Sequence, residues 1–521
     1  MTENHLRSPL ARGEFVCSAE LVLGRDHTVG EAETFVREAS ANPGGIRVIS
    51  LTDLPGGNPA LPPEDFVPFV REHGLTPIAH LTGKDANRSL LEGRLHALAA
   101  VGAENVLALT GDAQKSAFAG KAKPVYDLDS VLILWLIRAM RDGVQYQLGS
   151  RTARTTPFDF FPGAVVNPFK TREPDLMMQL YKLELKIAAG ARFVITQLGF
   201  NLRKLFELKQ YLDREEMGGV PVLANVYVPT PAIARMMRNG ELAGCVASEG
   251  FVARLEGEKK PQRLERAALM VAAVKDLGFA GAHIGGFGLT HRDFVTILEK
   301  AGELAGRWNG RIDELIFESP EEFYLLPAGA SGLSDGTAPY RARRSDGHAR
   351  PAQRLTRFVH DHLIAPETAV GQFLASRVKA EGEAGGFWCR MLAPSSAYRE
   401  AVLGCQSCGD CIQDHLNYVG CSMRWCYKEL RNGPCGGSRM DGSCEARPDL
   451  PCIWNAAYES ALALGEDPRK FARTLVPPRD WNFDHTNALV NRFAGVDNLA
   501  KRVHMPRPVE GEGPKGSGMK D

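Results

Sequence analysis

The chain has no excess of charge: 62 Lys and Arg stand against 62 Asp and Glu in 521 residues. That balance offers nothing to draw nucleic acid or an anionic membrane surface. Long apolar runs are missing as well. The longest, Val131–Ile137, is far too short to span a bilayer. The opening MTENHLRSPLARGEF holds no apolar core of signal-peptide length, so the expected location is cytoplasmic. No GxGxxG follows the first apolar run, which counts against a Rossmann domain. Cysteine is scarce over most of the chain, with only Cys17, Cys245 and Cys389 lying outside one cluster. The other eight fall between Cys405 and Cys452. Without a secretion signal, such a cluster argues for metal rather than disulfides.

The composition is that of an ordinary soluble globular protein, with 44% hydrophobic and 24% charged residues. The length implies about two to four domains, one of which could be a large barrel. From residue 14 to about 305, short runs rich in β-branched residues alternate with stretches of helical periodicity. The runs are Phe15–Leu21, Arg47–Thr52, Thr76–Leu81, Asn105–Thr110, Pro162–Val166, Phe193–Gln197, Val220–Val226 and Gly281–Gly286. Leu176–Ala189 and Gln262–Leu277 are two of the helical stretches. Eight such alternations predict an α/β fold of the (β/α)8 TIM-barrel type, with an open doubly wound sheet as the structural alternative. Glu20, Thr52, His80, Asp112, Asn167, Gln197 and His283 sit in or just after the C-terminal halves of these runs. In a barrel that rim is where an active site is built. The expected organisation is a barrel over 14–310, a linker or surface insertion over 329–352, a cysteine-rich metal-binding domain over 353–490 and a disordered tail over 506–521.

Four segments then carry a resemblance. AHLTGKDANR (Ala79–Arg88), NVLALTGD (Asn105–Asp112), GAVVNP (Gly163–Pro168) and AGARFVITQLGF (Ala189–Phe200) resemble, in order and spacing, successive signatures of the methylenetetrahydrofolate reductase family. KPVYDLDSV (Lys123–Val131) resembles the segment that often follows LTGD in its bacterial members. The resemblance implies a barrel holding a flavin at its C-terminal rim, FAD ahead of FMN. It implies hydride transfer from reduced flavin to 5,10-methylenetetrahydrofolate, giving 5-methyltetrahydrofolate, as in methionine biosynthesis.

Three catalytic residues carry over from the resemblance. Glu20 matches the catalytic carboxylate, an acid that protonates the departing ring nitrogen, and burial would hold it protonated near neutrality. The family often has proline near Leu23-Gly24-Arg25, which this chain lacks. Asp112 matches the aspartate that receives the pterin amino-pyrimidine ring through parallel N–H bonds. Gln197 matches the glutamine that contacts whichever substrate lies on the flavin. For the cofactor, the resemblance implies Thr52, His80, Thr82, Asn87, Arg88, Gly111 and Lys186. Lys182 and Leu185 stand where neighbouring family contacts are not kept. His283 has a counterpart too, although a single strand histidine is more often structural.

The second block, Cys405, Cys408, Cys411, Cys421, Cys426, Cys435, Cys444 and Cys452, resembles the C-terminal domain attached to some bacterial members of the same family. CQSCGDC, NGPCGGS, DGSCEA and CIWNAAYE carry that match. Independently, thiols on two-residue spacers with glycine-rich loops suit one or two four-ligand metal sites. CxxCxxC with a distant cysteine suits an iron–sulfur cluster, and tetrahedral zinc suits the same thiols. The expected partners are a tetrahydrofolate substrate and either NAD(P)H or a redox protein, in a homo-oligomer. Neither nucleic acid nor a membrane is expected. Two other readings remain open at this point: a non-catalytic flavin- or folate-binding scaffold, and a zinc-dependent folate methyltransferase.

Overall fold

Eight short runs become eight parallel strands that close on themselves. They are β1 (Val16–Leu21), β2 (Val48–Leu51), β3 (Thr76–Thr82), β4 (Asn105–Leu109), β5 (Phe161–Val166), β6 (Phe193–Thr196), β7 (Val222–Tyr227) and β8 (Gly281–Gly285). Each pairs in parallel with the next, and β8 returns to β1 with His283 opposite Ser18. The protein is therefore a (β/α)8 barrel followed by a C-terminal domain, and the open doubly wound alternative is excluded. The computed structural model describes residues 3–25, 29–341, 349–365, 367–381, 386–497 and 501–505. The expected tail at 506–521 lies outside the described residues.

The period-two alternation of a strand sorts each run into an outer and an inner face. Inside, at the N-terminal end, Val16, Val48, Ile78, Leu107, Phe161, Phe193, Ile195 and Leu223 form one apolar layer. Leu6 and Leu10, flanking and within the short helix α1 (Arg7–Ala11), pack into this layer and plug that end. Phe161 and Phe193 stack there with centroids 5.2 Å apart. Gly163 makes this possible, because a Cβ on it would lie 2.3 Å from the Phe193 ring. One step further along the strands the inward positions turn polar, with Ser18, Ser50, His80, Asn225 and His283 all buried. A barrel interior can bury such groups only if they bond to one another or to a ligand. The site is built on this layer.

The outer helices follow the strands: α2 (Gly30–Ala41), α3 (Pro63–Glu72), α4 (Arg88–Ala100), α5 (Ser130–Asp142), α6 (Glu173–Ala189), α7 (Leu202–Arg214), α8 (Pro231–Arg238), α9 (Glu249–Glu256), α10 (Lys260–Asp276) and α11 (His291–Leu304). The β4–β5 connection is the long one, carrying α5 and two small antiparallel hairpins at 116–121 and 145–154. Helix α6 is unlike an ordinary barrel helix, since every residue from Pro174 to Ile187 is buried. The C-terminal domain lies against it. Tyr458 donates to Glu173, Asn455 to Asp175 and Arg469 to Glu184, at 2.6, 2.6 and 2.7 Å. One apolar core runs from the barrel through Ile412, Leu416, Ile453, Trp454 and Phe471.

The first part of the segment read as a linker or insertion is tied down. Ser334 is buried between Glu207 and Arg203, and Arg214 donates to the Ala338 carbonyl at 2.8 Å. Gly336 and Ser334 pack closely on α7, where a Cβ on Gly336 would lie 2.7 Å from Gln210 Oε1. Among the described residues no helix is long and apolar enough to cross a membrane.

Candidate active site

Strand closure brings Glu20 of β1 beside His283 of β8. His283 Nε2 lies 3.3 Å from Glu20 Oε2, and its Nδ1 lies 2.8 Å from Ser18 Oγ. A Ser18 hydroxyl donating to Nδ1 leaves Nε2–H free to donate to Glu20, so the three groups form one line. Burial pushes the Glu20 carboxyl up, but the His283 hydrogen bond and the imidazoles of His283 and His80 outweigh it, and the net direction is down. The sequence-based expectation was a carboxyl held protonated by burial. The histidine brought in by β8 reverses that sign.

His80 stands one strand beyond β2, with Nε2 2.7 Å from Ser50 Oγ. Burial drives it down to about 4, so it is neutral at physiological pH. On the other side, Asn225 is in register with His283, and its side-chain oxygen is buried with no hydrogen-bond partner among the described residues. Tyr227, two positions along β7, is pushed up to about 12 by burial and then by Glu20.

Asp112 lies three residues beyond β4, on the same rim. Burial and then Glu445 push its carboxyl up to about 6, against the pull of Lys428, Lys115 and Lys84. Gly111 has φ +86°, and a Cβ on it would fall 2.7 Å from Lys84 Cβ. The glycine is thus required by the protein's own packing as well as by any flat ligand. Cys245, on the β7 side, feels both carboxylates: burial pushes its thiol up to about 12, with Asp112 the next contributor and Glu20 a smaller one. Gln197 follows β6 directly, its amide oxygen accepting from Leu198 N at 2.9 Å. Asn167 donates to the Gly244 carbonyl at 2.7 Å, which fixes the loop that carries Cys245.

The family model described as methylenetetrahydrofolate reductase matches residues 6–284, more than half of the chain. The chain belongs to the methylenetetrahydrofolate reductase family. A second model, described as methylene-tetrahydrofolate reductase C terminal, matches residues 390–482. Among solved structures the chain is similar to an uncharacterized protein from Clostridium thermocellum that binds two copies of 5-methyl-5,6,7,8-tetrahydrofolic acid. That match has 11% identity over 57% of this chain and 98% of that one, with a TM-score of 0.39. It is also similar to 2,3-dimethylmalate lyase, with 13% identity over 57% of this chain and 84% of that one, at a TM-score of 0.33. Neither likeness bears on function. No curated protein matches the chain.

Family membership gives the chain a function of the methylenetetrahydrofolate reductase type. Several positions matched to flavin contacts are already bonded within this member. Thr52 Oγ1 accepts from Leu23 N at 3.0 Å. Thr82 donates through its amide and hydroxyl to Asp53 Oδ2 at 2.8 and 2.9 Å, and Asp53 is held by Arg94. Asn87 caps α4 by accepting from Leu90 N. Arg88 forms a two-pronged pair with Asp127 at 2.7 Å on both bonds and also donates to the Arg479 carbonyl of the C-terminal domain. Lys186 donates to the Val165 carbonyl at 2.6 Å, and burial with help from Lys182 pulls its ammonium down to about 7. Asp53, Asp127, Asn225, Tyr227 and Cys245 were not singled out from sequence. Of these, Asn225 and Tyr227 were findable, because they alternate with Leu223 along β7.

All eight cysteines of the cluster are free thiols. Cys405, Cys408, Cys411 and Cys421 line one small cavity, together with Arg399 and Arg431. Of the other four, Cys426, Cys435, Cys444 and Cys452, Cys435 and Cys452 lie close enough to act on Lys170 of the barrel. Burial pushes Cys426 up to about 12, with Cys435 and Cys444 adding to it, and Cys452 rises for the same reasons beside Cys435 and Cys426. Among the described residues no three His, Cys, Asp or Glu side chains are gathered into a group that could hold a metal ion.

Proposed function

We propose that the chain is a flavin-dependent oxidoreductase that interconverts 5,10-methylenetetrahydrofolate and 5-methyltetrahydrofolate by hydride transfer. The observation that carries this reading is the Ser18–His283–Glu20 line on the same rim as Asp112, in a chain of this family. When bound, the flavin, FAD rather than FMN, supplies and receives the hydride. The unpartnered Asn225 oxygen beside His283 suits a ring that brings N–H donors. Thr52, Thr82, Asn87 and Lys186 would have to exchange bonds they already make, so this member's contacts to the cofactor's tail would differ from the family pattern.

In this reading Glu20 carries the proton. Substrate entering the rim excludes water, which raises the cost of the Glu20 carboxylate and favours the carboxyl that has taken a proton from solvent, with His283 Nε2–H orienting it. Glu20 then protonates N10 of the folate as the bond from N10 to the methylene carbon breaks. The resulting N5 iminium accepts hydride and becomes the methyl group. Asp112 accepts paired N–H bonds from the pterin, and Gln197 contacts whichever substrate lies on the flavin. An ionised Asp112 is required for that contact. Affinity for 5-methyltetrahydrofolate should therefore fall as pH drops through about 6, the value to which burial and Glu445 raise this carboxyl. Asp112→Asn should bind weakly with no such pH step, and a step kept in that variant would remove the role.

The eight cysteines suit metal through their donor chemistry. Burial opposes thiolate formation at Cys421, Cys426 and Cys452, and a bound cation offsets that cost. Cys405, Cys408, Cys411 and Cys421, which line one cavity, would have to draw closer together to hold one centre, and Cys426, Cys435, Cys444 and Cys452 to hold another. Iron–sulfur clusters there would pass electrons between the flavin and a redox protein, whereas zinc would leave NAD(P)H as the direct partner.

One anaerobic sample tests these assignments. It should show flavin absorption near ~450 nm, the region of an oxidised isoalloxazine. Added 5-methyltetrahydrofolate should bleach that absorption, and metal analysis should find iron or zinc. A protein that holds zinc only, and that is neither coloured nor active after flavin is added, would favour a scaffold or a methyltransferase instead.

A further inference from the structure

The turn that carries Asp112 is held at both of its backbone carbonyls by residues from outside it. Tyr126 donates its hydroxyl to the Asp112 carbonyl at 2.5 Å, and Lys428 donates its ammonium to the Gly111 carbonyl at 2.7 Å. Tyr126 belongs to the long β4–β5 connection of the barrel. Lys428 belongs to the cysteine-rich domain, two residues after Cys426. The same ammonium lies over the Tyr126 ring, 5.5 Å from its centroid. Beside it, Tyr427 donates to Gln114 Oε1 at 3.2 Å, and Lys121 stands over the Tyr427 ring at 4.8 Å.

Lys428 is paired with Glu445, and the two side chains are 4% and 5% exposed. The second oxygen of Glu445 is buried without a partner among the described residues. The local sequence is shaped around that carboxylate, since a Cβ on Gly437 would lie 2.2 Å from the Glu445 carboxyl carbon. Burying an ion pair is costly, and such pairs are poor devices for stability alone. This one is spent on a turn whose glycine sits at φ +86° and has little stiffness of its own.

We infer that Lys428 and Glu445 are positioning residues of the barrel's site. The cysteine-rich domain completes the pocket by pinning the Gly111–Asp112 turn in the orientation that receives the pterin. This inference rests on the folate reading of Asp112. It makes the pocket composite, because removing the domain's contact would loosen the barrel's own binding carboxylate.

The test uses the full chain and its Lys428→Met and Lys428→Arg variants, with 5-methyltetrahydrofolate titrated calorimetrically. Amide exchange is followed over 108–114 and, for reference, over β1 and β8. Lys428→Met should raise the Kd about 10-fold or more, the scale of losing a charged hydrogen bond. It should also speed exchange at Gly111–Ala113 while β1 and β8 stay protected. Lys428→Arg keeps charge and donors and should restore part of the affinity. If the Met variant does not fold, Glu445→Gln, which preserves shape, should show the same two changes in weaker form. Wild-type affinity and unchanged exchange at the turn in either variant would overturn the inference. A wild-type chain that binds no 5-methyltetrahydrofolate would overturn the folate reading, while exchange at the turn would still decide whether Lys428 holds it.

Discussion

Glu20→Gln lowers folate turnover by about 10²–10⁴-fold, the usual contribution of a positioned general acid, and leaves flavin and folate bound. The amide keeps the shape of the carboxyl and can still accept a hydrogen bond from His283 Nε2, now 3.3 Å from Glu20 Oε2. It cannot carry a proton and pass it on. The step that fails is opening of the five-membered ring, so reduction of the flavin by its electron donor continues at its normal rate. Stopped-flow traces should therefore show a reduced flavin that is not reoxidised by methylenetetrahydrofolate. His283→Gln should show a smaller loss of the same kind, because Glu20 keeps its proton but loses the imidazole that orients it. The pH profile should separate the two variants. Glu20 is held low by His283, so losing the imidazole lets burial raise the carboxyl and moves the alkaline limb of the rate profile, where the acid loses its proton, to higher pH. Near-normal turnover in Glu20→Gln would place the acid elsewhere on the rim.

The barrel was legible in the sequence because its signals are local. Runs such as Val48–Leu51 and Phe193–Thr196 are too short and too β-branched for helices, and each is followed by a helix. The polar strand ends that mark the rim were legible for the same reason. Other features depend on closure, which no local window contains. The ionisation of Glu20 is set by a histidine 263 positions away, which reaches it only because β8 pairs with β1. Thr52 and Thr82 look like ligand-facing hydroxyls in isolation, yet the chain uses them to hold Leu23 and Asp53. Helix α6 defeats sequence reading in another way. A helix with Asp175, Lys182, Glu184 and Lys186 should be wet at these positions, but all four are buried: the C-terminal domain bonds Asp175, Lys182 and Glu184, and the barrel's own Val165 carbonyl bonds Lys186. The cysteine cluster was legible as a cluster. Its contribution to the barrel's pocket was not, since Lys428 and Glu445 look like ordinary surface charges until the two domains meet.

Asp129→Ala should cost about 4–6 kcal/mol, the combined scale of a lost helix cap and a broken buried ion pair. One oxygen of Asp129 caps α5 by accepting from Val131 N and Leu132 N at 3.1 Å each. The other accepts from Lys182 Nζ at 2.8 Å, and both side chains are 2% exposed. Among the described residues, alanine leaves the ammonium in the interface with only the Gly433 carbonyl, 3.2 Å away, to answer it. A loss of that size is a large part of the roughly 5–15 kcal/mol by which domains are stable. It should lower the melting temperature by on the order of 10 °C. The damage should not stay in the barrel. Gly433 lies two residues before Cys435, so exchange should quicken in the NGPCGGS loop as well as at the start of α5. The double variant Asp129→Asn with Lys182→Met separates the two causes. Asparagine keeps the cap, methionine keeps the volume of the lysine stem, and no charge is left buried. That variant should recover most of the lost stability, although Asp129→Ala alone removes fewer atoms. If the double variant melts as low as the single one, the loss comes from packing around α6 rather than from an unanswered charge.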